Sequence, residues 1–325
     1  MKAATPEAFR MIGIDSVLPV LDRCEVIAAV RSALIWHADG SVQSPAPGQL
    51  LFTEPPGDCH IKFGHVTGSS SFVVKIASGF YRNAALGLPV NNGMVVVIDA
   101  RTGAPQVLFK DDGWLTAWRT AAAAAISAAI LAPHPIKEIG VLGTGLQASL
   151  ALEWLPETLG PQRFVVWGRS DTKARELADA AVSRGTRAAT VARIEEIFDR
   201  CNIVITTTPA SMPLFSSDLV QAGTHLVGIG ADGPNKQELP AELFARASCV
   251  LVDDRAQCLA HGDFGAAVRS GAIESYAAVM IGDILAGRIS VARSPKDITI
   301  VDLTGLAVQD IAIANLFLQL LGVEH

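Results

Sequence analysis

The sequence has little that would mark a nucleic-acid-binding, membrane or exported protein. It carries no basic cluster and has a formal charge of −6 at pH 7, whereas a basic patch is the electrostatic footprint of nucleic-acid binding. No apolar run reaches the roughly 18 residues that a membrane-spanning helix needs. The opening residues MKAATPEAF contain neither the basic nor the apolar region of a signal peptide. These absences predict a cytoplasmic protein without a nucleic-acid or membrane partner.

Cysteine is scarce, and its spacing does not fit a metal site or a disulfide framework. The 5 cysteines form no C-x-x-C pair and have no histidine at metal-ligand spacing. They are Cys24, Cys59, Cys201, Cys249 and Cys258. We therefore expect buried free thiols in a reducing compartment, no metal, and no activated cysteine nucleophile.

The first part of the chain predicts a small α/β domain. Apolar residues at helical spacing over residues 18–38 indicate an amphipathic helix. Short β-rich runs follow at residues 49–53, 59–64, 71–77 and 94–99, and DARTG at residues 99–103 is typical of a hairpin turn. These runs predict an antiparallel or mixed sheet. An alanine-rich helix over residues 114–132 ends before Pro133 and is expected to cross into a second domain.

From residue 136 onward, strands and helices alternate, which predicts a doubly wound parallel sheet of the Rossmann type. Further strands are expected at residues 164–167, 202–207, 225–230, 249–253 and 298–302, with a helix at residues 171–184 closed by Gly185. A last apolar helix over residues 305–321 is expected to pack back on the first domain. With 325 residues the chain is long enough for two domains, which we predict as residues 1–125 with 303–325, and residues 126–302.

A glycine turn follows the first strand of the second domain. Gly143, Thr144 and Gly145 separate an apolar run from helix-forming residues. A helix that begins at such a turn offers unpaired N–H groups and the positive end of its dipole to a phosphate. Ala148 stands at the third position of the G-x-G-x-x-G/A fingerprint, where a small residue suffices. The motif favours dinucleotide binding over a simple connection between strand and helix.

The end of the next strand indicates which dinucleotide is bound. The adenine ribose meets a residue about 20 positions beyond the glycines, and here the strand ends in Arg169 and Ser170. An arginine and a serine suit a 2′-phosphate, so NADP is favoured over NAD. The ordinary alternatives are a solvated cation and a helix N-cap. Thr206 and Thr207 end another parallel strand, where such folds place cofactor and substrate, although threonine is also common in strands.

Three charged residues stand in places that suggest function. Lys75 interrupts the apolar run FVVKIA, Arg119 lies in the alanine-rich helix, and Asp232 directly follows the strand HLVGIG. Each has an ordinary alternative. Lys75 would face solvent, Arg119 would be an exposed helix residue, and Asp232 would serve a turn before glycine and proline.

Four segments occur in a specific order and spacing. They are Lys75 in the strand before Gly79, LTAWRTAA at residues 115–122, GTGLQA at residues 143–148 and GADGPNKQEL at residues 230–239. Over nearly its whole length the chain thereby resembles the ornithine cyclodeaminase and mu-crystallin family. The resemblance implies a homodimer, with a Rossmann domain and an N-terminal α/β domain for dimerisation and substrate binding. Members include cyclodeaminases with tightly held NAD, reductases of cyclic ketimines, alanine dehydrogenases, iminosuccinate reductases and thyroid-hormone-binding crystallins.

The resemblance also implies residue roles. Lys75 and Arg119 would hold the substrate carboxylate, and Asp232 would be the acid/base group near the reacting nitrogen. Asp232 and Lys75 would thus be the catalytic residues. A guanidinium fork and an ammonium suit a carboxylate beside a C=N carbon, and reduction there needs a proton source within reach of nitrogen. The implied cofactor contacts are Gly143, Thr144, Gly145, Gln147, Ala148, Arg169, Ser170, Thr206, Thr207, Thr120, Gly230 and Thr304.

Two departures from the family concern the substrate. The N-terminal arginine of many members has no clear counterpart in QSPAPGQ at residues 43–49, so carboxylate binding is expected to be rearranged. Lys62 falls where ornithine-converting members have a glutamate for the distal amine. A lysine would repel that amine and suit a second anionic group, as in iminosuccinate reductases, with His60 and Asn91 assisting. The alternative is that Lys62 lies on the outward face of its strand.

Together these features predict an NAD(P)H-dependent oxidoreductase that reduces the C=N bond of an α-imino acid to an L-amino acid. NADP(H) is preferred, with NAD(H) as the alternative. The expected substrate is an imino dicarboxylate such as iminosuccinate, and the second candidate is a cyclic ketimine such as pyrroline-2-carboxylate. Two other functions stay open. A cyclodeaminase, a lyase with tightly bound NAD, is opposed by Arg169 and Lys62, and a non-catalytic crystallin-like binding protein is opposed by Asp232.

Overall fold

The computed structural model describes residues 9–323. The opening segment examined for a signal peptide lies, apart from Phe9, outside the described residues. The chain divides into two compact units, the first formed by the residues up to Arg119 and from Leu306 onward, the second by Thr120–Gly305. From the sequence, we predicted domain boundaries after residues 125 and 302, whereas the two units divide after Arg119 and Gly305. Among residues 9–323, no helix combines the length and apolar character that a membrane span requires.

The strands of the described residues are numbered in chain order. They are β1 Arg10–Gly13, β2 Val42–Gln43, β3 Gly48–Thr53, β4 Pro56–Val66, β5 Ser71–Phe80, β6 Asn91–Asp99, β7 Pro105–Lys110, β8 Ile139–Leu142, β9 Arg163–Trp167, β10 Arg187–Thr190, β11 Ile203–Thr206, β12 His225–Gly228, β13 Cys249–Val252, β14 Val279–Met280 and β15 Thr299–Asp302.

The α-helices are numbered in the same way. They are α1 Ile14–Val17, α2 Arg23–Ala38, α3 Trp114–Ile130, α4 Leu146–Leu159, α5 Asp171–Ser183, α6 Glu195–Arg200, α7 Ala241–Arg246, α8 Arg255–His261, α9 Asp263–Arg269, α10 Ile281–Leu285 and α11 Ala307–Leu320. Short 3-10 helices lie at Leu18–Val20, Tyr81–Leu86 and Ser217–Leu219.

The first unit contains a mixed sheet with the order β1-β7-β6-β5-β4-β2, in which β3 also pairs with β4. Neighbouring strands are antiparallel except β1, which runs parallel to β7. The turn between β6 and β7 is held by Asp99, whose Oδ1 accepts the backbone N–H groups of Arg101 and Thr102 at 2.7 and 2.9 Å. The predicted mixed sheet and hairpin turn are confirmed.

The last helix, α11, packs against α2 and against strands β4, β5 and β6 of this sheet. Its burial is nearly complete, since every residue from Ala307 to Ala314 is buried. Gly64 in β4 lies beside this helix, since a Cβ there would be in ordinary contact with Ile311 and Ala307 at 3.4 and 3.5 Å, and closer, at 3.0 Å, to the carbonyl oxygen of Gln43. The prediction that the C-terminal helix returns to the first domain is confirmed.

The second unit is built on a parallel sheet with the order β10-β9-β8-β11-β12-β15-β13-β14. From β8 the chain moves outward through β9 and β10, and then returns to β11 and continues in the other direction. The strand order therefore reverses between β8 and β11, which is the position where open α/β sheets bind ligands. This α/β arrangement confirms the predicted Rossmann-type sheet.

Some elements differ from those predicted. Helix α2 begins at Arg23, not at residue 18, because Asp22 caps it and accepts the N–H groups of Cys24 and Glu25 at 2.8 and 3.2 Å. Strands β1, β2, β7, β10 and β14 were not predicted. The prediction that all 5 cysteines are buried was also wrong. All are free thiols, but Cys24 is exposed and two others are partly exposed.

Gly140 offers a test of packing in the second unit. A Cβ on this β8 residue would lie 2.6 Å from Cγ2 of Ile197 in α6. Gly140→Ala should therefore lower the free energy of unfolding by about 1 to 3 kcal/mol, because the helix must shift to admit the methyl group. Urea denaturation measures the loss. Gly145→Ala is the matched control, since a Cβ there meets nothing within 4 Å, and equal losses in both variants would contradict the packing argument.

Candidate functional site

Lys62 and Lys75 face each other across the β4–β5 pair of the first unit. Directly opposed residues in an antiparallel pair point to the same side of the sheet. Both side chains are buried, with Lys62 7% and Lys75 2% exposed. Burial of two lysines side by side is unfavourable unless anionic groups accompany them. The alternatives in which either lysine faces solvent are therefore wrong.

Arg119 and Asp310 complete this charged centre. Arg119, in α3, is 6% exposed and donates from Nε to Oδ1 of Asp310 in α11 at 3.1 Å. Oδ2 of the same carboxylate lies 3.0 Å from Nζ of Lys75. Arg119 is thus not an exposed helix residue. We call Lys62, Lys75, Arg119 and Asp310 the cation cluster.

The electrostatics of the cation cluster are dominated by its positive charges. Burial alone would raise the pKa of Asp310, but the charges of Lys75, Arg119 and Lys62 outweigh burial and hold the pKa below its usual range. Asp310 is therefore ionised in the field of the three cations. Lysine and arginine side chains that are buried around a single site suit an anionic ligand.

Asp111 and Gln309 lie near the cation cluster, and only Gln309 contacts Arg119. Asp111 accepts the N–H of Leu115 on Oδ2 at 2.8 Å and so caps the start of α3. Its pKa is raised, chiefly by burial, with the charge of Asp310 contributing. Gln309 accepts a hydrogen bond from Nη1 of Arg119 at 3.1 Å. Sequence reasoning missed Asp310, Gln309 and Asp111, and no local pattern could have distinguished them from ordinary residues of a helix or of a loop before a helix.

His60 and Asn91 occupy different places relative to the cation cluster. His60 precedes Lys62 by two residues on β4, so both point to one face, and its Nε2 lies 3.7 Å from Oδ1 of Asp58. Asn91 is exposed and pairs with Gly79 at the far end of the β5–β6 ladder. The structure therefore brings His60, but not Asn91, near the buried lysines.

In the second unit, the glycine turn lies at the point where the strand order reverses. Gly143 has φ +133°, and a Cβ there would overlap Oγ1 of Thr207. Gly145 precedes α4 and faces open space, since a Cβ would meet nothing within 4 Å. Ala148 is fully buried, which accounts for a small third residue. The open N-terminal turn of the 14-residue helix α4 fits a dinucleotide phosphate.

The other predicted cofactor residues are placed as follows. Arg169 is exposed after β9, and Ser170 caps α5 by accepting the N–H of Lys173 at 3.4 Å. Thr206 is buried and donates to Oε2 of Glu238 at 2.7 Å, while Thr207 donates to the carbonyl of Leu142 at 3.1 Å. Thr304 is buried and donates to Oδ1 of Asp253 at 3.1 Å. The remaining predicted contacts Thr120, Thr144 and Gln147 are half-buried.

Asp232 lies in the loop after β12. Its Oδ1 is 2.7 Å from Nζ of Lys236, and its side chain is 42% exposed. The carboxylate is therefore open to solvent and stabilised by a cation within the same loop. The i, i+4 spacing in the segment GADGPNKQEL was the available signal for Lys236. No cluster of histidine, cysteine, aspartate or glutamate within residues 9–323 could hold a metal ion.

Replacing Asp310 tests whether the cation cluster depends on its one carboxylate. Asp310→Asn should lower the free energy of unfolding by about 3 to 5 kcal/mol, because buried cations lose their counter-charge. Glu138→Gln is the control. It breaks the pair with Arg200, whose side chain is 40% exposed, and should cost less than about 1 kcal/mol. Denaturant unfolding at low salt measures both, and equal small losses would show that Asp310 is not required.

Comparison with known proteins gives the family. The model described as ornithine cyclodeaminase/mu-crystallin family matches residues 15–319. An uncharacterised cyclodeaminase of Sinorhizobium fredii is 34% identical over 281 residues, 86% of this chain and 85% of the relative. An alanine dehydrogenase of Archaeoglobus fulgidus is 33% identical over 303 residues, 93% and 91%. A Delta(1)-pyrroline-2-carboxylate reductase of Bacillus cereus is 31% identical over 294 residues, 90% of each.

Solved structures agree with this result. An archaeal alanine dehydrogenase dimer with bound NAD has a TM-score of 0.86 at 31% identity and covers 95% of both chains. The iminosuccinate reductase of Paracoccus denitrificans in complex with NAD+ has a TM-score of 0.86 over 96% of this chain and 97% of that one. At 24% identity this second likeness shows the fold alone. The chain belongs to the ornithine cyclodeaminase/mu-crystallin family.

Proposed function

We propose that the protein is an NAD(P)H-dependent oxidoreductase that reduces the C=N bond of an α-imino acid to an L-amino acid. The observation that carries this proposal is the cation cluster, which places the buried side chains of Lys62, Lys75 and Arg119 around the carboxylate of Asp310. Buried positive charge of this kind is stabilised by an anionic ligand. The relatives named as an alanine dehydrogenase and a pyrroline-2-carboxylate reductase support the reaction class.

The cation cluster accounts for recognition of the substrate. Arg119 and Lys75 bind the carboxylate next to the imine carbon, because a guanidinium and an ammonium form strong charge-assisted hydrogen bonds with it. Lys62, directly opposite Lys75, binds a second carboxylate. The preferred substrate is therefore an imino dicarboxylate such as iminosuccinate, and a cyclic ketimine such as pyrroline-2-carboxylate is the second choice.

Asp232 accounts for the proton. When bound, the reduced nicotinamide supplies a hydride to the imine carbon. Asp232, which is open to solvent, takes up a proton from water and passes it to the nitrogen, so that the C=N bond becomes a C–N single bond and the products are the amino acid and the oxidised dinucleotide. Lys236, 2.7 Å from Oδ1 of Asp232, stabilises the carboxylate that the transfer leaves behind.

The preferred cofactor is NADP(H). Arg169 is exposed at the end of β9, and Ser170 starts the following helix with its hydroxyl. Both groups suit the 2′-phosphate that distinguishes NADP from NAD. NAD(H) is the alternative cofactor, in keeping with the NAD bound by the related structures.

A cyclodeaminase is the alternative that one relative's name favours. Such an enzyme binds a substrate with a distal amine, which carries positive charge. Burial of Lys62 beside Lys75 opposes this reading, because a third ammonium would be repelled. A crystallin-like binding protein without turnover would not need the carboxylate of Asp232, which stands partly open to solvent.

The protein is further proposed to be a homodimer, joined through the outer face of the first unit's sheet. This face is opposite to the lysines and consists of apolar residues that are only partly buried, among them Phe63, Val74, Ile76, Met94 and Val96. Leu50, Leu51 and Phe52 add exposed apolar surface on β3. Contiguous exposed apolar surface marks an interaction site.

A cytoplasmic location accords with 5 free thiols, one of them exposed.

The test of the reaction is a panel of substrates offered with NADPH and with NADH. Oxaloacetate with ammonium should cause stoichiometric oxidation of the dinucleotide, faster with NADPH, and pyrroline-2-carboxylate should be the weaker substrate. Asp232→Asn should lower kcat by about a hundredfold or more, because general acid catalysis contributes that much. Ammonia release from ornithine without added cofactor would instead identify a cyclodeaminase, and ligand binding without any turnover would identify a binding protein.

Lys62 is predicted to determine the preference for a second carboxylate. Lys62→Met keeps the length of the side chain but removes the charge. It should lower kcat/KM for the imino dicarboxylate about tenfold to a hundredfold, and change that for a cyclic monocarboxylate by less than about threefold. Lys110→Met, at an exposed position on β7, should change neither. Equal losses for both substrates would remove Lys62 from substrate discrimination.

The dimer is tested by placing a charge on the outer sheet face. Phe63→Lys should convert the dimer into a monomer in light scattering after gel filtration, because a lysine in an apolar interface is costly to bury. The side chain of Phe63 is 41% exposed, so folding of the subunit should survive. Val182→Lys, at an exposed apolar residue of the second unit, should leave the mass unchanged. A monomeric wild-type protein would contradict the proposed dimer.

A further inference from the structure

Glu238, absent from every role considered above, forms a buried clamp in the second unit. Its side chain is 0% exposed. Oε1 accepts hydrogen bonds from the N–H and the hydroxyl of Thr208 at 2.5 and 2.7 Å. Oε2 accepts from the hydroxyl of Thr206 and from the N–H of Gly230, both at 2.7 Å. One carboxylate thus joins the segment after β11 to the segment after β12.

The clamp closes the loop that carries Asp232. Gly230 and Glu238 are the two ends of this loop, and their hydrogen bond joins them. Asp232 lies two residues inside one end, and Lys236 lies two residues inside the other. Gly230 must be glycine for this closure, because a Cβ there would overlap the carbonyl oxygen of Thr208 and lie 2.7 Å from Cδ of Glu238.

The backbone of Glu238 is held as firmly as its side chain. Oδ1 of Asp263 accepts the N–H groups of Glu238 and Leu239 at 2.8 and 3.1 Å. The carbonyl of Glu238 accepts the N–H of Leu214 at 2.8 Å. Because Asp263 is itself fully buried at the start of α9, Glu238 is fixed to the core on one side and to both strand ends on the other.

Burial of this carboxylate is energetically costly, which argues for a purpose beyond packing. Burial raises the pKa of Glu238 to about 7, against the opposing effect of hydrogen bonds from Thr208, Thr206 and Gly230. An apolar side chain of similar volume would avoid that cost. An apolar side chain could not, however, accept hydrogen bonds from the backbone N–H groups of Thr208 and Gly230, which follow two different strands.

We propose that Glu238 is a positioning residue of the imine reduction, and this role rests on the function proposed above. Its carboxylate sets the position of the loop that carries Asp232 relative to Thr206 and Thr208 at the end of β11. Proton transfer depends steeply on geometry, since a displacement of about 1 Å can cost a hundredfold in rate. Glu238 therefore acts on catalysis through Asp232, without itself touching the reacting atoms.

Glu238→Gln is the decisive variant. Its amide has the same shape but only one acceptor oxygen, so its NH₂ must face a backbone N–H, either that of Thr208 or that of Gly230. We expect kcat to fall at least about tenfold, with KM for the reduced dinucleotide changed by less than about threefold. Hydrogen exchange of the Thr208 and Gly230 amides should quicken, a readout that needs no substrate.

Asp302→Asn is the matched control. Asp302 is also a fully buried carboxylate of the second unit, with a pKa that burial raises to about 7, and its Oδ2 accepts the N–H of Phe264 at 2.9 Å. The amides of Thr208 and Gly230 donate to Glu238 and not to Asp302. It should lose stability but keep kcat and the exchange rates of those two amides.

The outcomes separate the two proposals. An active wild-type enzyme with unchanged kcat in Glu238→Gln would overturn the positioning role and leave the proposed function intact. Equal loss of kcat in Glu238→Gln and Asp302→Asn would also overturn it, because the effect would then be general destabilisation. A wild-type protein that reduces no imine would overturn the proposed function, whereas unchanged exchange of both amides in Glu238→Gln would refute the clamp by itself.

Discussion

The charged centre of the first unit depends on one carboxylate, that of Asp310. Its two oxygens reach Arg119 at 3.1 Å and Lys75 at 3.0 Å, and its charge also acts on Lys62. Breaking a buried ion pair is far more costly than breaking an exposed one. Helix α11 is therefore held in its position by electrostatic interactions as well as by apolar packing. The return of the chain to the first unit brings the counter-charge to lysines more than 200 residues earlier in the sequence.

In the second unit, close backbone approach is the governing constraint. The strand ends meet where the sheet order reverses, and Gly143 and Gly230 allow contacts that a Cβ would prevent. Carboxylates then satisfy the backbone N–H groups exposed by those approaches. Glu238 holds Thr208 and Gly230, and Asp253 holds Thr304 and Gly305 at 3.1 and 2.7 Å. The backbone N–H groups of these loops thus donate to buried carboxylates, and not to the carbonyl groups of a helix or strand.

Local patterns predicted most of the architecture. Alternating strands and helices after residue 136 identified the Rossmann-type sheet, because a parallel sheet needs a crossover between neighbours. Strands β1 and β10 escaped because their residues, RMIG and RAAT, form no apolar run, unlike the equally short strands of the predicted parallel sheet. The start of α2 was misplaced because the apolar spacing continued through Leu18–Val20, whereas the Asp22 cap begins the α-helix at Arg23.

By itself the sequence determined the family and the fold class, and it supplied candidate residues for the site. Lys75, Arg119 and Asp232 could be singled out because charge in an apolar run, in an alanine-rich helix or directly after a strand is unusual, whereas Lys62 was singled out only by the resemblance to the family. Only the tertiary structure decided which side of the sheet the lysines face, and that Asp310 and Glu238 hold the charged groups around them. Burial and long-range pairing are properties of chain segments brought together from distant positions, and no local spacing records them.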